Sequence, residues 1–158
     1  MGSERTGELV ARVHHAIMRG FVAHGRAPHY TELGAALGLA PDDALRVQRQ
    51  LLALPEPWWA DPSLDVLVTF RPFANVPTNY RISVAGDQRW YGQCGLEALA
   101  VSWLFPGKEV RIDARCLDCG EPLAVRMRDG VLLEALPATI VGHRNQPPER
   151  AIEDWADA

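Results

Sequence analysis

The chain has 158 residues, 47% of them hydrophobic, a formal net charge of −4 and three cysteines. That apolar content supports a real core in one domain or two small ones, and the acidity argues against a general affinity for nucleic acid or anionic membrane. An odd number of cysteines gives no secreted disulfide framework and fits a reducing cytoplasm; no apolar run approaches the roughly 20 residues of a bilayer span, and the N-terminus lacks a signal-peptide apolar core.

The first third reads as helical. Leu9, Val13, Ile17 and Phe21 recur at three-to-four spacing and predict one amphipathic helix. Thr31 suits the cap of a short helix ending at Gly38, and Pro41 suits the first turn of a third. That third helix carries Ala44, Val47, Leu51 and Leu54 on one side. Beyond Pro55 and Pro57, Leu64, Val66, Val68 and Phe70 alternate as a strand does. Three helices followed by a strand pair describe a winged helix, which invites a DNA-binding reading through Arg46, Gln48, Arg49 and Gln50. Asp42 and Asp43 sit at the end that would enter the major groove and repel phosphate there. A solvated face on a structural helical domain is the preferred reading. Trp58-Trp59 lies at the boundary and is expected to fill the interface. Adjacent His14 and His15 cannot share a helix face, and His24 and His29 flank a turn; none has ligand spacing, so no histidine is assigned a role.

After Pro72 a loop rich in Pro and Asn leads into a strand-rich half holding every cysteine. Strands are expected over 79–84 and 88–91, around the turn Ala85-Gly86-Asp87, and over 110–114 and 123–127. Asp129-Gly130 marks a further turn, with strands over 131–136 and 139–142. Between them, Leu96, Leu99, Trp103 and Leu104 recur at helical spacing and place Cys94 at the first turn of a helix, with Glu97 three residues on and on the same face. A helix N-terminus favours a thiolate, and a neighbouring carboxylate can hold or deliver a proton. The plainer reading is a buried cysteine acting as a small apolar residue, with Glu97 supporting the first turn. Trp90, Tyr91 and Trp103 surround this stretch in sequence; they suit either an apolar pocket wall or core packing, and packing is preferred for Trp103.

The run from about Tyr80 to Pro122 resembles the organomercurial (alkylmercury) lyase family. The carrying residues are Tyr80-Arg81-Ile82, Val84, Gly86, Trp90-Tyr91 and Cys94-Gly-Leu-Glu97-Ala-Leu99, followed by Gly107, Val110, Arg115-Cys116, Gly120, Pro122 and Leu123. Gly25-Arg26-Ala-Pro28 with the 32–39 stretch fits that family's helical domain, and Glu153-Asp154-Trp155 fits its end. The resemblance implies cleavage of a carbon–mercury bond by protonation, with no organic cofactor and with mercury as substrate or product. It assigns Cys94 as nucleophile and metal ligand and Glu97, standing where the family usually has aspartate, as proton carrier. The family's second catalytic cysteine has no counterpart: nothing after Cys119 is a cysteine, and the segment that would carry it reads as deleted between about His143 and Arg150.

Cys116-Leu-Asp-Cys119-Gly120 forms a C-x-x-C-G knuckle between two expected strands. Such a turn presents two sulfurs to one soft metal. A tetrahedral zinc site needs two more ligands; Cys94 and His143 are candidates, though no spacing demands them. The alternatives are a tight turn with two reduced thiols, or replacement of the missing second thiol by Cys116 or Cys119. The whole reads as α+β: a three-helix winged-helix-like domain over 1–72, then a mixed β-sheet domain with one helix over 73–158, carrying the Cys94/Glu97 site. The expected partner is a small organometallic compound or soft metal ion, without membrane and without nucleic acid. The rival to a lyase is a non-catalytic soft-metal binding or sensing protein, and behind it a winged-helix DNA-binding regulator. The oligomeric state is not fixed by these features.

Overall fold

A computed structural model describes residues 2–55, 59–61 and 65–142 of the chain. The expectations placed on Trp58, the Trp59 side chain, His143, the 143–150 segment and Glu153-Asp154-Trp155 lie outside the described residues or atoms.

Helix comes first. α1 (Gly2–His24) buries Val13, Ile17 and Phe21 completely, one stripe at four-residue spacing. α2 (Tyr30–Leu37) ends at Gly38, whose φ of 69° supplies the left-handed residue that closes a helix. Its cap is His29 and not Thr31: the His29 side chain accepts from the Thr31 N–H, while Glu32 Oε2 accepts the His29 N–H at 2.7 Å. The histidine left without a role thus works structurally, as half of a capping box. α3 (Pro41–Leu52) starts with Pro41 in its first turn and Asp42 and Asp43 at the positive end of its dipole. It buries Ala44, Val47 and Leu51, whereas Leu54 lies past the helix end and is exposed.

Eight strands follow: β1 (Trp59–Asp61), β2 (Val66–Phe70), β3 (Phe73–Ala74), β4 (Arg81–Val84), β5 (Asp87–Gly92), β6 (Val110–Arg115), β7 (Pro122–Arg128) and β8 (Val131–Leu136). They form one sheet in the order β1-β2-β3-β5-β4-β6-β7-β8. The α+β order, helices and then sheet, is as expected. The sheet is not mixed, however: every described pairing is antiparallel. Short connections explain this for the pairs that are consecutive in the chain, such as β4–β5, β6–β7 and β7–β8, because antiparallel neighbours need only a tight turn while parallel ones need a long crossover. Ala85-Gly86 and Asp129-Gly130 are such turns, with φ of 51° and 86°, and of 50° and 79°. β3 was expected to be loop; two residues are too few for an alternation to register, yet Phe73 and Ala74 are buried. The expected strand over 139–142 is absent, the chain there turning through an Ile140 N–H to Pro137 O bond of 3.1 Å.

Aromatic contacts join the helical and sheet portions. Phe21 stacks on Phe73 with centroids 5.0 Å apart, and the Trp90 indole N–H donates to the Phe21 carbonyl at 2.7 Å. Phe105 meets Trp90 edge-on at 5.0 Å. The fourth helix, α4 (Gly95–Ala100), leaves the end of β5 and tightens into a 3₁₀ turn over Val101–Leu104. That tightening rotates the side chains away from the 3.6-residue period. Ala98, Val101 and Ser102 are buried, while Leu96 (68%) and Trp103 (67%) are exposed. The core assignment of Trp103 is therefore corrected: the indole lies over Gly130 and leaves no room there for a Cβ.

Candidate functional site

The end of β5 sets the position of Cys94. The Gly92 N–H bonds to Tyr80 O and the Gln93 N–H to Pro72 O, both at 2.9 Å. The chain then turns into α4 with Cys94 as its N-cap (φ −143°, ψ 171°), and the Ala98 N–H donates to the Cys94 carbonyl at 2.9 Å. Two glycines allow the close fit. A Cβ on Gly92 would lie 2.8 Å from Ala98 Cβ, and one on Gly95 3.1 Å from the Tyr80 ring. The helix therefore sits directly on the strand end, and Cys94 is half-buried beneath it.

Glu97 stands in the first turn of α4, with its side chain only 11% exposed. Its Oε1 accepts from Arg71 Nε in an ion pair, while Oε2 is buried without a hydrogen-bond partner. Arg71 comes from the β2–β3 turn, 26 positions away in sequence. Nothing in local spacing points to it; only the sheet order, which brings that turn beside the start of α4, makes the contact. Burial raises the Cys94 pKa above the ordinary thiol value, and the charge of Glu97 adds to the rise. The N–H groups of Glu97 and Leu96 oppose it without prevailing. The thiolate expected from the helix N-terminus is thus outweighed, and the resting group is a thiol with its proton in place. This is the behaviour of a group losing water faster than it gains partners.

Cys116 and Cys119 lie on the β6–β7 hairpin, Cys116 half-buried and Cys119 exposed, both reduced. The Asn79 side chain brackets the hairpin's base: Nδ2 donates to Arg115 O at 2.8 Å and Oδ1 accepts the Arg115 N–H at 3.1 Å. Because Asn79 precedes β4 and Tyr80 touches Gly95, the hairpin and Cys94 share one end of the sheet with β4 between them. At the usual strand spacing, β5 and β6 are about 10 Å apart. Among the described residues no three of His, Cys, Asp and Glu converge on a point that could hold a metal ion. The structure therefore does not gather Cys94, Cys116 and Cys119 into one cluster.

On α3, three of the four residues considered for DNA are occupied within the fold. Arg46 pairs with Asp43 at 2.8 Å, Arg49 with Asp65 at 2.7 Å, and Gln48 is buried and donates to Asp65 O at 3.0 Å. A cavity of about 180 Å³ lies between the α1–α2 turn and β2, lined by Arg26, His29, Leu67 and Asn75 among others, away from Cys94. Among the described residues no helix is long and apolar enough to cross a membrane.

Comparison with known proteins bears on this end of the sheet. A family model described as alkylmercury lyase matches residues 73–158, a stretch containing Cys94, Glu97, Cys116 and Cys119. Among solved structures, the mercury-bound form of MerB2 is similar in fold, with a TM-score of 0.61 at 21% sequence identity, over 85% of this chain and 67% of that one. No curated protein matches.

Proposed function

The chain belongs to the alkylmercury lyase family, and on that premise we propose that it cleaves the carbon–mercury bond of a small organomercurial by protonation. Cys94 captures the metal and Glu97 carries the proton. The observation that carries this reading is the pairing of a half-buried thiol at the α4 N-cap with a nearly buried carboxylate in the helix's first turn. Capture replaces the ligand opposite carbon by the Cys94 sulfur, and the displaced thiol proton passes to Glu97. The protonated carboxyl then delivers that proton to the departing carbon, which leaves as hydrocarbon with the bond's electron pair. Mercury(II) remains on the Cys94 sulfur and takes a second soft donor, such as a thiol from solution. Arg71 holds Glu97 through Oε1, so the carboxylate that receives the proton is fixed in place. The scheme uses no cofactor; mercury is the substrate's own metal.

The test is a single-turnover assay with an aryl- or alkylmercury compound, reading metal uptake and hydrocarbon release separately. Wild type takes up the organomercurial at position 94, read by peptide-resolved mass spectrometry, and releases hydrocarbon, and Cys94→Ser loses uptake at that position. An unreactive Cys94 would overturn the reading. A second reading is uptake without cleavage, a soft-metal binding protein; it is favoured by the lack of any cysteine beyond Cys119, since the family's second thiol has no counterpart there. Stoichiometric uptake with no hydrocarbon from wild type selects it.

A further inference from the structure

We propose that the Cys116–Cys119 turn is a second, self-contained metal site: a dithiol that binds a soft cation content with two ligands, mercury(II) above all. The proposal does not depend on whether Cys94 cleaves anything.

The turn is built before any metal arrives. The Cys116 N–H donates to Glu121 O at 2.9 Å, the Gly120 N–H to Cys116 O at 3.0 Å, and Arg115 Nη1 to Gly120 O at 3.1 Å. Gly120 takes a φ of 75°, which lets the chain reverse after Cys119. The Asn79 bracket on Arg115 fixes the residue next to Cys116. Little conformational freedom is left for the ligand to remove, which is the main saving in a chelate. Cys116 and Cys119 stand three residues apart on this one turn, so both sulfurs belong to the same short reversal of the chain. Binding replaces two S–H bonds by two S–Hg bonds and releases two protons, so the filled site is neutral.

The ligand count decides the metal. Two sulfurs are present and, among the described residues, no third His, Cys, Asp or Glu joins them. Zinc asks for four ligands in tetrahedral array and is left half-coordinated here. Mercury(II) is satisfied by two thiolates in line. The position of β4 between β5 and β6 sets the turn apart from Cys94 as well.

The experiment titrates the reduced full chain with mercuric chloride in an excess of glutathione. The monothiol competitor strips metal from single cysteines and leaves a dithiol chelate filled. Bound metal is read by native mass spectrometry and by sulfur-to-mercury charge-transfer absorbance. Cys94→Ser is expected to keep one mercury(II) at a glutathione concentration that empties Cys119→Ser, with an affinity difference of at least tenfold. Cys119 is exposed, so that variant leaves the core untouched, and Cys116→Ser is the confirming partner. Zinc(II), offered in the same way, is expected to be lost to a chelator. Loss of the retained metal in Cys94→Ser would overturn the proposal in favour of one site shared between Cys94 and the hairpin. Retention in Cys119→Ser and Cys116→Ser, or zinc held as firmly as mercury, would also overturn it.

Discussion

Cys94 and Cys116 lie at the same end of one sheet, each beside backbone N–H groups, and their acidities move in opposite directions. At Cys94 burial comes first and a carboxylate adds to it, so the N–H groups of Glu97 and Leu96 lose and the pKa rises. At Cys116 the N–H groups of Cys119 and Asp118 dominate, with little burial against them, and the pKa falls. A helix or turn N–H is thus no guide to thiol acidity by itself; what decides is the water removed and the charge left nearby. One cysteine is arranged to keep a proton close to a carboxylate, the other to give its proton up.

Glu97→Gln should break this contrast most sharply. Hydrocarbon release is expected to fall by about 10²–10⁴-fold, the usual contribution of a positioned general acid. Removing the Glu97 charge also takes away part of what raises the Cys94 pKa, so alkylation of Cys94 by neutral iodoacetamide at pH 7 should become faster while Cys116 is unchanged. Peptide-resolved mass spectrometry reads both sites in one sample; slower alkylation at Cys94 would show that Glu97 does not act on the thiol. In the wild type, the pH dependence should separate the two. Thiolate becomes the major form only above a group's pKa, so the Cys116 rate should reach its half-maximum at a lower pH than an ordinary thiol, and the Cys94 rate at a higher one. Coincident profiles would remove the comparison.

Smaller effects should sort by region. Gly92→Ala places a Cβ 2.8 Å from Ala98 Cβ, and overpacking of this kind costs about 1–3 kcal/mol. The melting temperature should fall and Cys94 should become more accessible to reagent, with Cys116 unaffected. Asn79→Ala removes the bracket on Arg115 at about 1 kcal/mol per hydrogen bond, and hydrogen exchange should quicken in the β6–β7 hairpin alone. In the helical part of the chain, the Arg26–Glu32 pair holds the Glu32 pKa down to about 2. Its contribution is therefore present above the ordinary carboxylate range and lost as pH falls toward 2; both side chains are largely exposed, so a small effect is expected, read from acid-unfolding midpoints of Glu32→Gln.

Periodic features were legible in the sequence because the physics that makes them is local. The buried stripe of α1, Pro41 opening α3, the Asp129-Gly130 turn and the strands β4 to β8 follow from patterns a few residues long. Cys94 at a helix start and Glu97 one turn on belong to the same class. What escaped depended on topology or on competition. Arg71 reaches Glu97 only because the β2–β3 turn sits beside α4. Trp103 faces solvent because the helix tightens after Ala100 and the face rotates. His29 displaced Thr31 as a cap because a ring nitrogen two residues earlier was already in position. The direction of the Cys94 shift required the extent of burial, which no spacing encodes.

The β2–β3 turn has a consequence for recombination among relatives. Pro72 O accepts the Gln93 N–H and Arg71 holds Glu97, yet both residues precede the stretch 73–158 that the family model matches. A crossover placed at residue 73 would move the cysteine and its acid into a new background and leave their cation behind. Chimeras joined upstream of Thr69 should inherit the trio intact.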